Sequence, residues 1–344
     1  MIAALLKEID IQRNYLGNET IETIYFGGGT PSLLTISELK SILDHLKNSF
    51  AISPNTEITL EANPDDVSEQ IAKEWNQSGI NRLSLGIQSF FEEDLKWMNR
   101  AHNAEQAMSS LRLATRYFNN ITIDLIYGTP SLTDEKWRQN VEQVLSFDIP
   151  HISNYALTVE PKTPLQKMIR EGKAENISPD KQSEQFLLLM QWLEEAGYEH
   201  YEISNFAKPG FRSKHNSSYW QGKKYLGIGP SAHSFDGESR QWNIANNNIY
   251  INSLKTNILS FEKEGLTEKQ KMNEYIMTSL RTKEGLDLSA LERNFKKEKR
   301  EEVLIAAKKY IQTGKLILSD SSHLVLTKEG KLFADGIASD LFMI

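Results

Sequence analysis

The sequence predicts an α/β protein: repeated β-α units around a parallel sheet, followed by a smaller helical domain. Three features lead there. Over the first 156 residues, within a core expected to span residues 1–178, short strand-like apolar runs alternate with longer amphipathic stretches, the pattern that βα units leave in a sequence. Each amphipathic stretch opens with a residue suited to a helix cap or first turn. Beyond residue 262 the alternation is gone, and helical patterns lead into a short hairpin.

Taken in order, the chain opens on a helical stretch, Ala3–Tyr15, so the series starts with no strand before its first helix. Strands are predicted at Thr23–Phe26, Glu57–Glu61, Arg82–Gly86, Ile121–Ile126 and His151–Ala156. Helices are predicted between them at Ser37–Ser49, Ser68–Ser78, Ala104–Phe118 and Asp134–Ser146. Such crossovers are right-handed, and a run of these units closes either into a partial barrel or into an open doubly wound sheet. The pattern fits both. Residues 179–262 are expected to extend this core: a helix over Pro179–Gly197 with Phe186, Leu189, Met190 and Leu193 on one face, then a strand over Tyr198–Ile203. From Ser204 to Asn248 the chain is rich in Gly, Ser, Asn and aromatics, which suits contacts better than regular packing. Residues 263–344 form the predicted third part, with helices near Thr267–Leu280, Leu288–Phe295 and Lys299–Thr313. Strands at Lys315–Leu318 and His323–Leu326 and a last helix from Thr327 complete a winged-helix-like pattern. Lys and Glu are mixed there without a basic stripe, so a packing or lid role is expected rather than DNA binding.

Composition narrows the function classes. With 39% hydrophobic and 25% charged residues the 344-residue chain has a globular profile. A net charge of -7 argues against nucleic acid, whose binders carry a basic footprint. No apolar run approaches the ~20 residues of a membrane-spanning helix, and the start, Met1–Leu6 followed by Lys7, Glu8 and Asp10, lacks the layout of an export signal. There are no cysteines, so neither disulfides nor thiolate metal ligands can form from these residues.

The chemistry-bearing residues cluster at predicted strand ends. Tyr25-Phe26-Gly27-Gly28-Gly29-Thr30-Pro31-Ser32 follows the first strand, and three successive glycines let a backbone take positive φ and approach a ligand closely. Ser32 stands where a dinucleotide fingerprint needs glycine, and no Gly-Lys-Ser/Thr follows as in a phosphate loop. Glu61 lies in Leu60-Glu61-Ala62-Asn63-Pro64, Gln88 in Gly86-Ile87-Gln88-Ser89-Phe90, and Asp124 in Ile121-Thr122-Ile123-Asp124-Leu125-Ile126. Polar residues at C-terminal strand ends converge on one cavity in a β/α barrel. A carboxylate within an apolar run must be paired or bound, so Asp124 is either a structural ion-pair member or a ligand contact. Arg100, in Met98-Asn99-Arg100-Ala101-His102, is suited to pair with these acids or to grip a ligand carboxylate. Farther on stand Tyr201-Glu202-Ile203-Ser204-Asn205-Phe206, His215-Asn216-Ser217-Ser218-Tyr219-Trp220 and Gly227-Ile228-Gly229-Pro230-Ser231-Ala232-His233. His45, His151, His200 and His323 read as ordinary histidines. His215 differs: an imidazole beside Tyr219 and Trp220 can ligate haem iron while the rings cover the porphyrin face. His233, after its glycine-rich turn, is expected near the barrel mouth.

Together, Gly-Gly-Gly-Thr-Pro, Glu-Ala-Asn-Pro, Gly-Ile-Gln-Ser-Phe, Asp-Leu-Ile-Tyr-Gly and His-Asn-x-x-Tyr-Trp resemble the oxygen-independent coproporphyrinogen-oxidase family of radical S-adenosylmethionine (SAM) proteins, nearest its haem-chaperone branch. The resemblance covers nearly the whole chain. It implies a partial (β/α) barrel, here without its first strand, in which SAM lies against a [4Fe-4S] cluster. By motif, Gly28, Gly29 and Thr30 would meet the SAM methionyl end, Glu61 and Asp124 other polar parts, and Gln88 and Arg100 the remaining groups. His215 would be the haem ligand, with Tyr219 and Trp220 in the haem pocket. The implied function is a cytoplasmic haem chaperone that passes haem to an acceptor protein, compatible with transient contact with membrane proteins. The alternative is coproporphyrinogen III dehydrogenase, which oxidatively decarboxylates propionates. Family members begin with a strand and a Cys-x-x-x-Cys-x-x-Cys loop that binds the cluster, and this chain has neither. The expectation is that both lie upstream of Met1, and that these residues alone do not perform radical chemistry.

Overall fold

The computed structural model describes residues 1–343. Its first elements are α1 (Ile2–Gln12), β1 (Ile21–Phe26), α2 (Ile36–Ser49), β2 (Ile52–Ala62), α3 (Glu69–Gln77) and β3 (Arg82–Gln88). There follow α4 (Glu92–Trp97), α5 (Ala104–Tyr117), β4 (Ile121–Tyr127), α6 (Asp134–Ser146), β5 (His151–Ala156), α7 (Pro164–Arg170) and α8 (Pro179–Glu195). The next stretch holds β6 (Glu199–Glu202), β7 (Asn205–Ala207), α9 (Lys214–Trp220), β8 (His233–Phe235), β9 (Ser239–Asn243), α10 (Asn247–Lys255) and β10 (Phe261–Gly265). The C-terminal elements are α11 (Glu268–Leu280), β11 (Leu286–Asp287), α12 (Leu288–Phe295), α13 (Lys297–Gln312), β12 (Leu316–Leu318), β13 (His323–Leu326), α14 (Lys328–Lys331) and α15 (Ala334–Asp340).

The principal sheet has the order β1-β2-β3-β4-β5-β7-β6. By contacts the chain divides into two units, one of residues 26–33 and 58–213, the other of 1–25, 34–57 and 214–344. In the first unit, β2 to β5 pair in parallel and β7 and β6 close the run antiparallel, the arrangement of a partial β/α barrel. Side chains alternate across such a sheet. Leu83, Leu85, Ile123, Leu125 and Ile152 are fully buried, as are Trp75, Leu111, Trp137, Val144 and Leu189 from the helices. Each such aliphatic burial contributes about 1.5–3 kcal/mol, which is why alternate residues of these strands are apolar. The helices start where their caps stand: Ser68, Asn103, Thr133 and Ser178 each accept a hydrogen bond from a first-turn N–H. The opposite face of β3, β4 and β5 carries Arg82, Ser84, Thr122, Asp124, His151 and Ser153. That polar interior positions the site.

In the second unit, α1 packs on α2 and α10. Glu8, fully buried, accepts from Gly229 N (2.8 Å), Asn243 Nδ2 (2.6 Å) and the Tyr250 hydroxyl. Burial nevertheless holds its carboxyl above the usual range, against those three bonds. The stretch expected to be irregular contains regular structure, because β9 pairs with both β8 and β10 and so satisfies its backbone through short strands. The last helix expected from Thr327 is two helices, α14 and α15, joined through Leu332 and Phe333. The small sheet β11-β13-β12 with α11 to α13 gives the winged-helix-like arrangement.

Candidate functional site

One polar cleft lies at the C-terminal ends of the parallel strands in the first unit. It encloses about 170 Å³ and is lined by Gly29, Thr30, Glu61, Gln88 and Asp124, with Pro31, Ser32, Ala62, Asn63, Ser84 and Gly86. Small-molecule sites run roughly 300–1,000 Å³, so this volume suits one polar arm of a ligand. Gly28 and Gly29 have φ of +68° and +58°, and a Cβ on either would meet nothing within 4 Å. The glycines are therefore required by backbone conformation rather than by crowding. The Gly28 N–H donates to Glu61 Oε2 at 3.1 Å, which ties the loop to the end of β2. Ser32 Oγ donates to Asp66 Oδ2 at 2.6 Å and fixes the loop's far side.

Gln88 is placed by an irregularity. The β3–β4 register shifts between Leu85 and Gln88, and Gln88 itself has φ of +66°, a strained conformation for a residue with a side chain. A bulge of this kind re-aims a side chain. The Gln88 side chain comes back so close that a Cβ on Gly86 would lie 2.9 Å from its Nε2.

Asp124 faces the cleft from the middle of β4. Burial pushes its carboxyl up to about 7, the Glu61 charge adds to the rise, and a Ser153 hydrogen bond with the Arg82 and Arg100 guanidiniums opposes it. Arg100 is exposed and does not line the cleft, although its charge acts on Asp124. Tyr155, 45% exposed near the end of β5, was not singled out in the sequence. Its hydroxyl is pushed up by burial and then by Asp124, Glu202 and Glu61, so it belongs to the same group. Its place at a strand end was the available signal.

His215 is the second residue of α9 in the second unit. The Glu57 carboxylate receives the Lys214 N–H at 3.2 Å and the His215 N–H at 3.0 Å, which satisfies helix N-terminal donors with a negative charge. His215 Nδ1 lies 3.0 Å from Thr23 Oγ1. Its ring stacks on Tyr25 at 4.5 Å and meets Tyr219 edge-on at 5.0 Å. Tyr219 is 40% exposed and packs against Tyr225. Trp220 carries the Arg281 guanidinium over its ring at 5.3 Å. His233 is exposed on β8 and stacks with Trp242.

Residues 5–144 match the radical SAM superfamily and residues 266–333 match the HemN C-terminal domain. The heme chaperone HemW of Lactococcus lactis is 37% identical over 279 residues, covering 81% of this chain and 73% of the relative. HemW of Mycobacterium tuberculosis is 32% identical over 344 residues, covering 99% and 85%. The chain belongs to the HemW family of radical SAM proteins. Among solved structures, coproporphyrinogen III oxidase (HemN) of Escherichia coli, described as a radical SAM enzyme, matches with a TM-score of 0.83 at 22% identity, covering 99% of this chain and 82% of that one. At that identity the likeness speaks for the fold.

The family's cofactors are SAM and a [4Fe-4S] cluster. The cleft fits a polar arm of SAM, because its glycine-lined, two-carboxylate wall offers acceptors for hydroxyl and cationic groups. The cluster is not fitted by these residues: the chain has no cysteine, and the described residues hold no group of three His, Cys, Asp or Glu able to bind a metal.

Proposed function

We propose that this chain is a haem-binding chaperone that holds haem at the His215 helix, binds SAM in the barrel cleft and delivers haem to an acceptor protein. Identity of 31–37% to HemW proteins over most of the chain carries this reading. The chemistry of the two sites supports it. In the cleft, Gly28, Gly29 and Thr30 would take the methionyl end, Glu61 and Asp124 other polar groups, and Gln88 the remainder, with Arg100 acting from outside the cleft through its charge on Asp124. When Nδ1 of His215 donates to Thr23 Oγ1, Nε2 carries the lone pair that haem iron needs. Tyr219 and Trp220 would cover the porphyrin with apolar surface.

No described helix is long and apolar enough to cross a membrane. We place the delivery in the cytoplasm, with the acceptor reached by protein contact. SAM supplies a radical source only with a reduced cluster beside it; the residues here bind and orient the sulfonium nucleoside. The fold likeness to the Escherichia coli oxidase, at 22% identity, does not bring propionate decarboxylation with it. Haem titration followed in the Soret band tests the reading. Saturable binding that His215→Ala weakens and shifts in wavelength is expected; binding and spectrum unchanged in that variant would remove His215 as the ligand.

A further inference from the structure

Arg82 is a cation with almost no route to water. It is 2% exposed at the start of β3, and a buried guanidinium is costly unless charge or hydrogen bonds answer it. It donates to the Thr122 hydroxyl. Thr122 Oγ1 lies 3.1 Å from His151 Nδ1, and His151 Nε2 lies 2.8 Å from the Tyr201 hydroxyl. Thr122 and His151 are register partners on β4 and β5. The result is a hydrogen-bonded layer across the barrel interior, with Thr122 and His151 buried like Arg82.

The layer lies directly beneath the cleft. Side chains two apart on a strand share a face, so Thr122 lies one step below Asp124 and His151 one below Ser153, while Arg82 lies one step below Ser84, the register partner of Thr122, and its guanidinium reaches up to the Thr122 hydroxyl. Ser84 and Asp124 line the cleft. Burial and the Arg82 charge both keep His151 neutral. Arg82 is thus the fixed positive charge of this layer.

We propose that Arg82 is a positioning residue for the cleft: held by Thr122 beneath the floor, it supplies the buried positive charge that keeps Asp124 available as an anion to a cationic, hydroxyl-bearing ligand. This deepens the SAM reading, since an ionised Asp124 is the form that attracts a sulfonium or accepts from ribose. The groups facing Asp124 are Glu61 from β2, Arg82 from β3, Arg100 from the segment after α4, and Ser153 and Tyr155 from β5, with Glu202 acting on Tyr155. Of the two guanidiniums, Arg100 is exposed and open to screening, whereas Arg82 is enclosed.

The test reads Asp124 itself. In the full chain labelled with ¹³C at aspartate carboxyls, the Asp124 resonance is assigned by its loss in Asp124→Asn and titrated between about pH 5 and 9. An adjacent guanidinium lowers a carboxyl's midpoint by roughly 1–3 units. The midpoint is therefore expected to rise in the order wild type, Arg82→Lys, Arg82→Gln, by about one unit across the series. Arg82→Lys keeps the charge on a shorter arm without the fork to Thr122, so it carries the same prediction if Arg82→Gln does not fold. Unchanged or lowered midpoints in the folded variants would overturn the proposal. SAM binding by calorimetry across the same range separates the two claims. If wild-type protein fails to bind SAM while the midpoints move as expected, the cofactor reading falls and the role of Arg82 stands. If wild type binds and Arg82→Gln loses affinity equally at every pH, with no midpoint shift, Arg82 is merely structural.

Discussion

Thr23→Val is the substitution that most cleanly separates the chemistry of the His215 site from its packing. Valine matches threonine in shape and favours strands at least as well, so β1 should fold as before. What is lost is one hydrogen bond, the one that His215 Nδ1–H donates to Thr23 Oγ1 at 3.0 Å in the tautomer that leaves the Nε2 lone pair for iron. A bond of this kind contributes about 0.5–1.5 kcal/mol net. The Tyr25 stack at 4.5 Å and the Tyr219 edge contact at 5.0 Å remain, so the ring stays in its plane. The tautomer, however, is no longer held with the proton on Nδ1. Removing the group that orients a metal-ligating histidine costs roughly 10–100-fold in metal affinity. The retained stacking places this variant near the lower end, about tenfold, or about 1.4 kcal/mol. Soret titration at pH 7 measures the affinity, and thermal unfolding of the haem-free protein measures the fold. A melting temperature close to wild type with haem bound about tenfold more weakly is expected. Equal affinity and an identical spectrum would refute the claim that Thr23 tunes the ligand.

The cleft and the α1 cluster give further tests. Asp124 is pushed up to about 7 from an ordinary value of 3.8. A raised carboxyl favours the folded state in its protonated form, so that stability is full below about pH 4 and fades as pH rises towards 7. Denaturant unfolding at pH 5 and pH 8 should therefore differ less in Asp124→Asn than in wild type; an equal difference would contradict the assignment. Glu8→Ala leaves three buried donors, Gly229 N–H, Asn243 Nδ2 and the Tyr250 hydroxyl, without their acceptor. At about 1–3 kcal/mol each, a loss of at least ~3 kcal/mol is expected in denaturant unfolding, and a loss below ~1 kcal/mol would show that the cluster relaxes freely. Gly28→Ala meets no neighbour within 4 Å but must hold φ of +68°, at about 1–2 kcal/mol. Weaker SAM binding with a loss of global stability no larger than that strain is expected, because the exposed loop can relax part of it.

The barrel core was legible because each of its strands answers one physical demand. Leu83, Leu85, Ile123 and Leu125 are buried under helices, so their strands had to be apolar, and Ser68, Asn103 and Thr133 had to stand at helix starts to satisfy free N–H groups. Those demands act over a few residues and are written in local order. The segment from β7 to β9 was not legible in the same way. Its strands β7 and β8 are three residues long, too short for alternation to rise above noise.

The site divides along the same line. Glu61, Gln88 and Asp124 could be singled out because a polar residue interrupting an apolar run needs a reason. Their common cleft follows from parallel strands ending on one side. Gln88 has the right position for a reason the sequence does not display: the register shift after Leu85 and a positive φ turn its side chain, and both arise from pairing with β4. Arg82 was harder still. At the head of an apolar run it passes for the exposed end of a strand, and only the pleat that sets it beneath Ser84 and beside Thr122 turns it into a buried charge. A polar residue is thus conspicuous when the run around it is apolar on both sides, and silent at a boundary where polar residues are expected. That is why the carboxylates of the cleft could be read directly, while the cation beneath them had to await the fold.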